Sequence, residues 1–196
     1  SVDFGDGTSV APKGGDDIFV AKYDNSGTLI WVKTYGGSAP EHTGYGLSIF
    51  IDAAGSVLVS GYFEGAVDFG DGSAASAGLS DYFVVKHASG GDYLWSKIIS
   101  GPSIELEAYI CADSSNNIYI TGYLKGSIDF GSGSTVTGSG SSDIFIAKYS
   151  PDGEYRWANR LGGTTFDGAV AICTDSLANV YVTGHFAGTV DFGDGN

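Results

Sequence analysis

The chain of 196 residues is 42% hydrophobic and 13% aromatic, with 32 glycines against 4 prolines. That composition can fill a core and points to strands joined by tight turns, an all-β class. Nine basic against 23 acidic residues leave a net charge of −14, which repels phosphate backbones and anionic headgroups and excludes nucleic acid as a partner; no apolar run approaches the roughly 20 residues that insert across a bilayer.

Taken in chain order, the first landmark is Val2-Asp3-Phe4-Gly5-Asp6-Gly7. It returns at Val67 to Gly72, at Ile128 to Gly133 with Ser132 in place of the second acid, and at Val190 to Gly195, with spacings of 65, 61 and 62 residues. Next, Asp17 opens a strand over Ile18 to Tyr23 that recurs after Asp81 and Asp143 and carries Lys22, Lys86 or Lys148. The turn Asn25-Ser26-Gly27 follows, and then a strand over Leu29 to Thr34 around Trp31; Trp95 and Trp157 repeat that hairpin.

A variable connection containing Glu41, His42 and Tyr45 leads to a second hairpin, Ser48 to Ile51 and Val57 to Phe63, around Asp52-Ala53-Ala54-Gly55. Its copies turn at Asp113-Ser114-Ser115-Asn116 and Asp175-Ser176-Leu177-Ala178, and each second strand reaches a glycine: Gly61, Gly122 or Gly184.

Two tight hairpins per unit and a period near 62 residues fit a four-stranded antiparallel propeller blade. With strands lettered A to D in blade order, Ser48 to Ile51 is A, Val57 to Phe63 is B, Ile18 to Tyr23 is C and Leu29 to Thr34 is D. The chain is then a single repeat region over 1–196, with units 1–66, 67–127 and 128–189 and the start of another at 190–196. Its phase is permuted: C-D, two whole blades, A-B. The complementary halves are expected to meet between copies, as a closed two-chain ring or a head-to-tail fibre, or to adjoin further blades of a longer parent chain. Met is absent, so the sequence reads as a segment of something larger or processed.

Asp17 to Tyr23, Gly27 to Trp31, Asp175 to Gly184 and Phe186 to Gly193 resemble the bacterial beta-propeller repeats often called SBBP. The resemblance covers nearly the whole chain and implies an exported or cell-surface location in a large protein. It brings no catalytic residues to transfer. The expected function is accordingly a non-catalytic extracellular structural or adhesion protein that associates with copies of itself.

Residues that recur in every unit are expected to be architectural. Asp3 with Asp6, Asp68 with Asp71 and Asp191 with Asp194 can be counted as calcium ligands, although Asx turns beside glycine account for the same pattern. His87 stands where other units have Tyr23 and Tyr149, and His185 where they have Tyr62 and Tyr123, so both read as framework replacements. Cys111 and Cys173 occupy equivalent positions, which points to apolar packing. The variable connections carry Glu41, His42, Tyr45, Glu105, Glu107, Phe166 and Asp167, a set of carboxylates and aromatics that suits a sugar or a basic peptide. Solvated loops are the plainer account of them. A hydrolase would need a second carboxylate at a fixed separation.

Overall fold

In a computed structural model, residues 1–37, 47–77, 79–102, 107–133 and 135–193 are described. These residues hold 18 strands and no helix. In chain order the strands are β1 (Val2–Asp3), β2 (Ser9–Val10), β3 (Ile18–Tyr23), β4 (Leu29–Tyr35), β5 (Ser48–Ile51), β6 (Val57–Phe63), β7 (Ala66–Asp68), β8 (Ser73–Ala75) and β9 (Asp81–His87). They continue as β10 (Tyr93–Ile99), β11 (Ala108–Ala112), β12 (Ile118–Leu124), β13 (Ser127–Asp129), β14 (Thr135–Thr137), β15 (Asp143–Tyr149), β16 (Tyr155–Leu161), β17 (Gly168–Thr174) and β18 (Val180–His185).

Two sheets have four antiparallel strands, in the orders β5-β6-β9-β10 and β11-β12-β15-β16. β3-β4 and β17-β18 are two-stranded sheets of the same kinds of strand: β3-β4 match the last two strands of a four-stranded sheet and β17-β18 the first two. The glycine- and serine-rich stretch from Gly131 to Ser142 contains β14. Alternating Thr135-Val136-Thr137 pairs there with Ser127-Ile128-Asp129, because β-branched residues suit a pleated ribbon. β1-β2 and β7-β8 are the matching small hairpins.

Side chains alternate across each sheet with the period of two that a strand imposes. On β6, Val57, Val59 and Phe63 pack with Ile18, Val20 and Tyr35 of the preceding sheet, whereas Leu58 and Tyr62 join Ile110, Ile118 and Ile120 of the following one. Sheets thus stack with two apolar layers between them. Hydrogen bonds tie adjacent sheets together: Ser60 Oγ of β6 donates to the Ala108 carbonyl of β11 at 2.9 Å and Thr174 Oγ1 of β17 to the Ala112 carbonyl of β11 at 3.1 Å.

A second tie runs from the strand pairs β3-β4 and β9-β10 to the next unit. Trp31 Nε1 and Lys22 Nζ both donate to the Ser89 carbonyl, at 3.2 and 2.8 Å. Trp95 Nε1 and Lys86 Nζ do the same to the Pro151 carbonyl, at 3.2 and 3.1 Å. The close approach needs glycine in the turn, since a Cβ on Gly91 would lie 3.0 Å from the Trp31 ring and one on Gly153 3.0 Å from that of Trp95. Lys86 also forms a buried ion pair with Asp52 at 2.9 Å.

Equivalent positions differ in exposure where a neighbouring strand is absent among the described residues. Phe83 and Phe145 are fully buried, but the equivalent Phe19 is 57% exposed. Ile110 is 4% exposed and its counterpart Ile49 59%; Tyr119 is 1% exposed and its counterpart Tyr181 55%.

Candidate functional site

Among the described residues, two polar constellations break the repeat. The first gathers around Tyr123, at the end of β12. Tyr123 is fixed through its backbone, whose carbonyl accepts from Tyr82 Oη at 2.8 Å and whose amide donates to the same oxygen at 3.1 Å. Its ring lies against β17 because position 168 is glycine; a Cβ there would sit 2.3 Å from the ring. The Tyr123 hydroxyl donates to Glu107 Oε2 at 2.9 Å, and Tyr109 reaches the same oxygen at 3.3 Å. Glu107 holds a left-handed φ of 60°, and its carbonyl oxygen would be 2.5 Å from a Cβ on Gly122, so the glycine of β12 admits the bend.

Phe166 is half-exposed and packs edge-on to Tyr123, with centroids 5.3 Å apart and planes at 66°. It stacks on His185 at 5.3 Å and 16°. Burial, with the Glu107 carboxylate next in effect, pushes the Tyr123 phenol up to about 12. The phenol therefore stays protonated and keeps donating at neutral pH. The result is a cluster of four rings, Tyr109, Tyr123, Phe166 and His185, around one carboxylate, a surface that can stack on an apolar ring face and accept hydrogen bonds from hydroxyls or an ammonium.

Glu107 and Phe166, both expected from the sequence, are thus brought together through Tyr123. Asp167 is placed elsewhere: it is fully buried, and its two oxygens accept from the amides of Gly163 at 2.8 Å and Ala187 at 3.0 Å. Those bonds staple the connection and leave no free carboxylate for a ligand. Glu41, His42, Tyr45, Glu105 and Asp194 lie outside the described residues. Tyr109 and Tyr123 carried no site signal in the sequence, since Tyr123 shares its slot with Tyr62.

The second constellation is buried between β3-β4 and the first four-stranded sheet. His87 fills a tyrosine slot, as expected, and its Nε2 is hydrogen-bonded to the hydroxyl of Tyr35, a partner that the repeat does not announce. Their rings stack at 5.7 Å and 14°. At the equivalent place in the next joint stand Ile99 and Tyr149, the latter donating to the Phe130 carbonyl at 2.9 Å. Burial, and then the charge of Lys33, holds His87 below its ordinary value of 6.5, and burial raises Tyr35. The pair is neutral and serves as a hydrogen-bonded core contact beside a cleft of about 240 Å³ that Lys13, Lys33 and Asp68 also line.

The first acid of each Asp-Phe-Gly motif spends an oxygen on its own turn. Asp3 Oδ1 accepts from Gly5 and Gly7, Asp68 Oδ1 from Gly70 and Gly72, and Asp191 Oδ1 from Gly193. Asp129, which lacks the second acid, does the same to Gly131, Ser132 and Gly133. Asp6 Oδ1 accepts from Thr8, and Asp71 lies near the Tyr93 hydroxyl. The motif makes the same turn with or without its second acid, and among the described residues no three metal-binding side chains converge. Cys111 is buried, which pushes its thiol up to about 12, and Cys173 is exposed and unpaired.

No protein-family model matches the chain. It is 28% identical over 173 residues to an uncharacterised WD repeat-containing protein, L264, of Acanthamoeba polyphaga mimivirus, an alignment that takes in 79% of this chain and 12% of that protein. It is 30% identical over 146 residues to the regulatory protein FlaEY of Caulobacter vibrioides, across 72% of this chain and 15% of that one. The chain therefore spans a small part of the curated relatives it matches. Together with the all-β sheets, similarity to a WD repeat-containing protein fits a β-propeller-like repeat protein.

Proposed function

We propose that the chain is a non-catalytic structural or adhesion protein of the cell surface or extracellular space, that its four-stranded sheets are propeller blades, and that its two half-blades are completed by copies of itself or by further blades of a longer parent chain. The observation that carries this reading is a contrast between equivalent positions: Phe19, Ile49 and Tyr181 are exposed where Phe83, Ile110 and Tyr119 are buried. Leaving such surface in water costs about 25 cal/mol per Å². Light scattering on the purified chain tests association, and a monomer at every attainable concentration would sink it. Surface labelling of intact cells tests location, with protection from the label as the adverse result.

A second reading is favoured by the Tyr123 constellation. Four rings clustered with Glu107 suit a carbohydrate or a peptide with a basic group. Glycan-array binding that Phe166→Ala abolishes would support it, and sensitivity to a chelator would add calcium to the site. An array without signal would leave the scaffold reading alone.

A further inference from the structure

We infer that the cleft between β4 and the sheet β5-β6-β9-β10 binds a small oxyanion, a carboxylate or a phosphate, between the ammonium groups of Lys13 and Lys33. The site is independent of how the half-blades are completed. Its walls belong to this chain: a further strand beside β3 would join the edge away from β4, as β6 joins β9 on the side away from β10. The cleft holds about 240 Å³, a little under the range that takes drug-sized ligands, so its guest is small.

The next joint along the chain shows what the repeat does without such a site. The Lys13 amide donates to Asp17 as the Ala77 amide does to Asp81, so Lys13 stands where the following unit has alanine. Tyr35 likewise replaces Ile99, and His87 replaces Tyr149, while Lys33 corresponds to Lys97. The Tyr149 hydroxyl donates to the Phe130 carbonyl at 2.9 Å, and Tyr23 reaches Phe4 in the same way at 3.0 Å. The imidazole of His87 has no hydroxyl to send to Phe69, and Tyr35 meets it instead. Three departures from the repeat thus coincide at one cavity; one adds a cation and two make its floor polar.

Tyr35, Phe69 and His87 are buried and line the cleft, while the side chains of Lys13 and Asp68 stand half-exposed at its mouth. Asp68 is committed: its Oδ1 accepts from the amides of Gly70 and Gly72, and its Oδ2 lies 4.0 Å from Lys13 Nζ. Asp71 sits near the Tyr93 hydroxyl, outside the lining. Lys33 has no carboxylate partner among the described residues. His87 Nδ1 is buried without a hydrogen-bond partner, the backbone of Gly91 and Asp92 lying near it but out of bonding geometry. Where the Tyr35 hydroxyl donates to Nε2, Nδ1 carries the proton and is a donor for an oxyanion. An unspent cation and an unspent ring nitrogen on one cleft call for a polar guest. The net charge of −14 does not oppose an anion here, since exposed carboxylates beyond about 8 Å are screened at physiological ionic strength.

The test is isothermal titration of the full chain with inorganic phosphate, phenyl phosphate, acetate and benzoate in chloride buffer, with circular dichroism to check folding. At least one of the four is expected to bind, and a preference for the phosphates or for the carboxylates identifies the oxyanion. Lys33→Ala should weaken binding at least 10-fold, whereas Lys97→Ala, its counterpart at the next joint, should leave it unchanged. Tyr35→Ile combined with His87→Tyr recreates the side chains of that joint and should abolish binding in a folded chain; if the double variant fails to fold, the two lysine variants decide alone. No binding of any of the four probes, equal losses from the two lysine variants, or a folded double variant that binds like the parent overturns the site.

Discussion

Phe83 and Phe19 occupy the same place in the repeat, each in the strand that begins after an Asp and ends near a Lys, yet one is fully buried and the other more than half in water. The same holds for Tyr119 and Tyr181. The interior sheets have a neighbour on both faces and the flanking ones on a single face, so burial here is a property of the stack and not of the residue. A repeat whose faces are buried by its neighbours gains stability unit by unit.

The largest effect separating the two regions should come from Phe83→Ala, which is expected to cost about 3–5 kcal/mol because it leaves a cavity in a packed layer; Phe19→Ala, measured on dissociated chain, should cost under about 0.5 kcal/mol. Urea unfolding monitored by fluorescence checks both, and equal losses would break the comparison. Next is the buried ion pair. Asp52→Ala strands the Lys86 ammonium and is expected to cost about 3 kcal/mol by the same assay.

A smaller effect distinguishes the two joints by pH. His87 is held below 6.5 in the fold by burial and by Lys33. A base with a lowered folded value contributes stability that is full above its unfolded value and is lost as pH falls through the folded one. Melting temperature should therefore decline below about pH 6.5, and His87→Phe should flatten that part of the profile. The smallest effect concerns the hairpin turns. Asp113 is drawn up by burial but more strongly down by the side chain and amide of Asn117 and by Tyr119, so its contribution persists above the ordinary carboxylate value and is lost in acid. Asp113→Ala should cost about 1–2 kcal/mol, and the exposed equivalent Asp175→Ala less, as thermal melts at neutral pH and at pH near 3 would show.

The four long strands of each unit were legible because alternation, turn residues and threefold recurrence all agreed; β5 and β6 fall on the expected residues, and β4 runs one residue further, to Tyr35. The small hairpins were not, since Gly131 to Ser142 has a composition dominated by glycine and serine that hides Thr135–Thr137. The candidate site was half legible. Glu107 and Phe166 stood out as unrepeated, but their meeting depends on Tyr123, a residue that periodicity assigns to the framework. Asp167 shows the converse: a carboxylate in a variable connection looks available until two backbone amides claim it. Tyr35 and His87 come from different units, and the contact between them follows only from which sheet faces which.

The Trp and Lys ties described above all reach the same way, from each unit to the turn of the one after it: Trp31 and Lys22 to Ser89, Trp95 and Lys86 to Pro151. A stack held by one-way grips has a front and a back. Two fronts cannot join, nor two backs, so any assembly through these grips is polar.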